Sequence, residues 1–200
     1  FNRIHMSQIF ASLADLELAD CDWLLPRSLM SPLIAKQIPE RFWILQMGSS
    51  HTWKTLTIDK WSQVVSHVFK QNTCPLIITG SKEETSLGEE LLLRHPNKPI
   101  LNLIGQTSMN DLYELVHRSE LLVSGDSLLM QLGSLGNKKS LNISLGKTNF
   151  WETGPVGEGS AIIRGEVEED LASDKIASEI VIALEGKKFE NCNYLNTGKS

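Results

Sequence analysis

The sequence predicts an α/β fold in which a doubly wound parallel sheet carries helices on both faces. Three observations lead there. From Phe42 onward, short apolar runs alternate with segments of helical spacing. The runs are nearly continuous in hydrophobic residues, as strands buried on both faces must be. The segments between them are roughly 10–15 residues long, the length of a crossover helix, and such crossovers are right-handed. The expected architecture is a Rossmann-like layer over residues 41–186, with 1–40 as the end of a preceding domain plus a linker, and 187–200 as a loosely held polar tail.

FWILQM, ending at Gly48, is the first strand. Asp59 can cap the helix KWSQVVSHVFK, in which Trp61, Val64, Val65, Val68 and Phe69 share one face. PLIIT follows as a strand stopped by Gly80, then the charged helix KEETSLGEELLLRH, ended by the Pro96–Asn97 turn. ILNLIG is a strand, and Asn110 or Ser108 can cap the helix DLYELVHRS. ELLVSG leads into a helix from Ser127 to about Leu135, and SLNISLG, AIIRG and a helix within DLASDKIASEIVIALEG complete the layer. Ahead of it, IHMSQIFASLADLEL has a partial apolar face, and LLPRSLMSPLIAKQIPERF, with three prolines, reads as a linker. A helix and a linker cannot enclose a core, so they should pack on the main domain or belong to another one. The start at Phe1 rather than Met points to a fragment or processed chain.

Composition narrows the function. The 200 residues are 41% hydrophobic and 22% charged with a net charge of −5, which gives no reason to expect nucleic acid. No apolar run approaches the roughly 20 residues of a membrane span, and no basic start precedes an apolar core as in a signal peptide. Cys21, Cys74 and Cys192 are odd in number and far apart, neither a disulfide framework nor a CxxC pair, which fits a cytoplasmic setting.

In an open α/β sheet, ligands bind beyond the carboxyl ends of the strands, so the loops there are the candidate site. GSSHTWKT offers Ser49, Ser50 and Lys54 to an anion, although its spacing is not that of a P-loop. TGSKEE offers Gly80 and Ser81, with Glu83 and Glu84 near a helix start; capping is the simpler role there. In GQTS, Thr107 and Ser108 can cap a helix or line the cleft. In SGDSLLM, Gly125 permits a sharp turn, and the N–H groups of Ser127, Leu128 and Leu129 favour a phosphate. Asp126 there is a helix N-cap, a loop-orienting group or a contact to a hydroxyl. The loop GKTNFWETGP has the aromatic and polar groups to cover a base or sugar, with Trp151 equally suited to packing.

Taken in order, Lys54 and Trp61, Gly80–Ser81, GQTSM, GDSLLMQL and SLGKTNFWETGP resemble the loops of family 9 glycosyltransferases, the bacterial lipopolysaccharide heptosyltransferases, over about Phe42–Ile163. The opening segment is similar to the end of that family's N-terminal domain. The resemblance implies the C-terminal, donor-binding half of a two-domain GT-B fold. It implies a nucleotide-activated sugar such as ADP-heptose in the interdomain cleft, its diphosphate meeting Lys54 and the helix beginning at Ser127. It further implies inverting transfer to a glycan or glycolipid acceptor without metal or other cofactor, with the general base in the N-terminal domain; no residue here matches it. Peripheral contact with the cytoplasmic face of the inner membrane also fits the family. This chain departs from the family's Gly-Pro-Met-His at Leu128–Gln131: Leu128 places a side chain where glycine lets backbone approach a phosphate, and Gln131 carries no charge. Those departures keep open a degenerate, non-catalytic domain of the same fold acting as a binding or interaction module. A nucleotide-sugar epimerase is a third reading, but no acidic and basic set here demands it.

Overall fold

The computed structural model describes residues 11–15, 27–49, 51–157, 159–192 and 194–196. Most of the expected N-terminal helix, Cys21 and Ser50 lie outside them; Ala11–Leu13 are helical. The strands are β1 (Trp43–Gln46), β2 (Leu76–Ile78), β3 (Ile100–Asn102), β4 (Leu121–Ser124), β5 (Ser140–Leu145), β6 (Ser160–Gly165) and β7 (Tyr194–Asn196). The helices are α1 (Pro32–Ala35), α2 (Ile58–Gln71), α3 (Thr85–Arg94), α4 (Met109–Arg118), α5 (Leu128–Leu135), α6 (Phe150–Thr153) and α7 (Ser173–Leu184).

One sheet holds the strands in the order β3-β2-β1-β4-β5-β6-β7. The first six strands are parallel, as expected, and β7 pairs antiparallel with β6. The chain winds outward from β1 to β3, then returns to place β4 on the other side of β1. The crevice between the loops after β1 and β4 is therefore the switch point where ligands bind in such sheets. Register sets Gln46 beside Ser124 at its floor.

Alternation along β1 divides the core. Trp43 and Leu45 face a layer with α2, α3 and α7, while Phe42 and Ile44 face Leu115 and Val116 of α4 and Leu129 and Met130 of α5. All five apolar residues predicted for one face of α2 are buried. Its cap is Thr57 rather than Asp59: Thr57 is extended, and its hydroxyl accepts from the Lys60 N–H at 3.3 Å. Asp59 lies inside the first turn and pairs with Arg94 at 2.6 Å.

The proline-bearing linker docks through its backbone. The Ser28 N–H donates to Glu114 at 2.8 Å and the Ser31 N–H to Asp111 at 2.7 Å, both carboxylates on α4. Ile34 and Phe42 are buried with that layer. At the other end, the described part of the segment expected to be a loose polar tail, 187–192 and 194–196, is anchored. Phe189 packs into the first core layer, and buried Glu179 of α7 accepts from the Glu190 and Asn191 N–H groups, leading the chain into β7. No helix among the described residues is long and apolar enough to cross a membrane.

Candidate functional site

An open cleft of about 830 Å³ lies at the carboxyl edge of the sheet, where the topology predicts it. Ser49, Ser81, Asp126, Ser127, Leu128 and Gln131, all expected from sequence, line it. Thr107 and Ser108 stand outside its walls. Ser108 is the cap of α4, accepting from the Asp111 N–H at 3.2 Å while its own N–H donates to Asp111 at 2.9 Å.

Lys54 and Gly80, also expected, are not lining residues either, but Lys54 touches one of them: its Nζ is 2.8 Å from Asp126 Oδ2, with the two side chains 20% and 14% exposed. The short 3-10 turn Thr52–Lys54 is pressed against the strand end: a Cβ on Gly125 would come within 2.8 Å of the Lys54 carbonyl oxygen. From the other side, the Asn142 Nδ2 donates to the Gly125 carbonyl at 2.9 Å. Asp126 is thus held as the partner of a lysine and is not the N-cap of α5. That position is Ser127, whose hydroxyl turns back to Ser124 at 2.7 Å and makes no capping bond. Ser124 in turn donates to the Gln46 carbonyl at 3.0 Å. The first N–H groups of α5 therefore receive no capping side chain, and they lie at the cleft wall formed by Ser127 and Leu128.

The opposite wall holds a residue the sequence placed near a helix start but not in the cleft. Glu84 closes a capping box with Ser81, its Oε2 accepting from the Ser81 N–H at 3.0 Å. Its carboxylate lies over both strand-end glycines: a Cβ on Gly48 would meet Oε1 at 2.0 Å and one on Gly80 would meet Oε2 at 2.1 Å. Burial pushes the Glu84 carboxyl up, the Ser81 N–H pulls it back, and the Glu83 charge adds to the rise. A carboxyl whose folded value lies above the unfolded one contributes stability that is complete below the unfolded value and lost as pH rises through the folded one. Glu84→Gln should therefore gain on the native chain in thermal denaturation between about pH 4, near the free glutamate value, and about pH 7. A gap that stays constant over that range would show that Glu84 ionises as in the open chain.

Loop 146–156 forms the remaining side and is pinned at several points. Arg164 donates to the Gly146 carbonyl at 2.8 Å and the Thr148 carbonyl at 3.1 Å, and the Val156 N–H donates to Ser134 at 2.9 Å. Gln131 Nε2 donates to the Thr153 carbonyl at 2.6 Å, so its amide N–H joins α5 to the loop. The loop presents Glu152 and Thr153 to the cleft. Gln46, Glu83, Glu84, Glu152 and Thr153 are lining residues that were not among the expected ones; the loops were legible, but which side chain of each turns inward was not.

The sequence matches the family model of glycosyltransferase family 9 (heptosyltransferase) over residues 5–179. It is 28% identical over 127 residues, 52% of this chain and 36% of the relative, to lipooligosaccharide heptosyltransferase 2 of Haemophilus ducreyi. The fold resembles that of E. coli ADP-heptose LPS heptosyltransferase II with a TM-score of 0.67 at 15% identity, covering 86% of this chain and 53% of that one. It also resembles E. coli heptosyltransferase WaaC with ADP, with a TM-score of 0.63 at 13% identity, covering 74% of this chain and 47% of that one. This chain thus spans about half or less of each relative's length, and the shared fold is the Rossmann-like half of a GT-B glycosyltransferase. With the match running from before the linker into α7, the chain belongs to glycosyltransferase family 9, the heptosyltransferases.

Proposed function

We propose that this chain is the donor-binding half of an inverting, metal-independent glycosyltransferase that uses a nucleotide-activated sugar, with ADP-heptose the first candidate. One observation carries the reading: Lys54, Asp126 and the start of α5, which has no capping side chain, meet at the switch point of the sheet. A diphosphate at that point accepts from the N–H groups of Ser127, Leu128 and Leu129 and pairs with the Lys54 ammonium. Asp126 holds that ammonium in place before the donor arrives and is positioned to accept from a sugar hydroxyl.

In the transfer, a base in the other half of the active site removes the proton of the acceptor hydroxyl. The hydroxyl oxygen attacks the anomeric carbon, and the bond from that carbon to the β-phosphate oxygen breaks. The nucleoside diphosphate leaves with the bonding pair, and the donors named above meet the charge that develops on it. The acceptor in this reading is a lipopolysaccharide-type glycolipid at the cytoplasmic face of the inner membrane. Support for ADP comes from the relative solved with that nucleotide. Support for heptose comes from the family.

Calorimetric titration with ADP, UDP and GDP tests the reading. ADP should bind in preference to the other two, and Lys54→Ala should weaken it about tenfold, as expected for loss of one charge-assisted contact. Absence of binding by all three nucleotides, or ADP affinity indifferent to Lys54, would overturn it.

A further inference from the structure

The loop that carries Lys54 also presents an indole for which the donor reading above gives no role. Trp43 and Trp61 are buried and Trp151 is half-buried, while Trp53 is 51% exposed. An exposed tryptophan leaves a large apolar face in water, and its burial by a ligand is correspondingly favourable. Its backbone is not free to fold the ring away. Leu56 is buried just after it, Thr55 Oγ1 donates to the Met47 carbonyl, and the Lys54 carbonyl abuts Gly125. The ring is also backed: His51 lies parallel to it, with centroids 5.8 Å apart and planes at 13°. His51 is itself tied down, its carbonyl accepting from the Ser49 hydroxyl at 2.9 Å and its N–H donating to Ser49 at 3.3 Å.

Position fixes what such a ring can meet. Trp53 and His51 stand beside the cleft rather than in its lining: Lys54 Nζ lies over the Trp53 ring, 5.4 Å from its centroid, and is 2.8 Å from Asp126, which does line the cleft. The indole therefore stands one group away from the proposed diphosphate position. In a nucleotide sugar, the transferred sugar is bonded directly to the phosphate, whereas the base is separated from it by the ribose. A pyranose also has an apolar face of C–H groups that stacks on an indole, while its hydroxyls point outward toward acceptors such as Asp126.

Resting on the donor reading above, we infer that Trp53, backed by His51, is the stacking platform for the sugar ring of the donor. It is a specificity-determining residue for the glycosyl group and not for the nucleotide.

The test is titration of the native chain, Trp53→Ala and Trp53→Phe with ADP and with ADP-heptose. In the native chain ADP-heptose should bind more tightly than ADP and quench tryptophan emission, and ADP should leave that emission nearly unchanged. Trp53→Ala should keep its affinity for ADP but lose about three- to tenfold in affinity for ADP-heptose, the range of one aromatic contact. Trp53→Phe should recover part of that loss, which a merely structural role would not produce. If Trp53→Ala binds ADP-heptose as tightly as the native chain, the platform is overturned while the donor reading stands. If the native chain binds neither ligand, the donor reading falls and the platform with it.

Discussion

Glu179→Ala should cost about 3–5 kcal/mol of stability, the sum expected for three hydrogen bonds to one buried carboxylate at roughly 1–1.5 kcal/mol each. Glu179 has no exposed surface, and its carboxylate accepts from the Glu190 N–H at 2.9 Å, the Asn191 N–H at 2.9 Å and the Asn191 Nδ2 at 3.0 Å. Alanine leaves those donors without their acceptor and opens a void beside α7. At roughly 2–4 °C per kcal/mol for a chain of this size, the melting temperature should fall by about 10 °C. A second signal identifies the cause. Burial, then the charge of Glu179 and its contact at 3.7 Å, push the Cys192 thiol up to about 12, so it should react slowly in the native chain. Once the carboxylate is gone and the segment that leads to β7 loosens, Cys192 should be labelled faster by a thiol reagent, as mass spectrometry of the modified peptide can read. Full stability with unchanged labelling would show that the tail is held elsewhere.

How much of this was legible in the sequence depends on the range of the interaction. The one-sided spacing of Trp61, Val64, Val65, Val68 and Phe69 is local, and α2 followed from it directly. The parallel strands are apolar runs that need no partner to be recognised. Because a doubly wound sheet brings its carboxyl-edge loops together, even the place of the cleft followed from element order. Interactions set by distant partners did not. β7 is three residues in a polar stretch, and its approach is fixed by a glutamate on α7 that no local pattern marks. Asp126 looked like a cap because Asp caps helices; its actual partner, Lys54, is 72 residues away in sequence. Asp59 lost the cap of α2 to Thr57 by two positions, a choice made by backbone angle, and both residue types can cap. The exposure of Trp53 was equally hidden, since a tryptophan in a loop is as readily packed as presented.

Gly125→Ala should destabilise the chain by about 1–3 kcal/mol, the usual cost of overpacking, and weaken ADP at least tenfold. The added Cβ would stand 2.8 Å from the Lys54 carbonyl oxygen and 3.7 Å from that of Ile143. Both neighbours are backbone, so neither rotates away. The strand end is held by buried Asn142 on its other side, which leaves the Thr52–Lys54 turn as the element that yields. Displacing the turn pulls Lys54 from Asp126 and carries the proposed diphosphate ligand out of place. Gly133→Ala separates the two effects. Its Cβ would meet the Ser140 hydroxyl at 2.6 Å and Leu122 Cδ1 at 2.8 Å, away from the Lys54 turn. That variant should lose stability while ADP affinity holds within a few-fold. If instead the two variants weaken ADP equally, the loss comes from a softened domain, and Gly125 has no special part in seating Lys54.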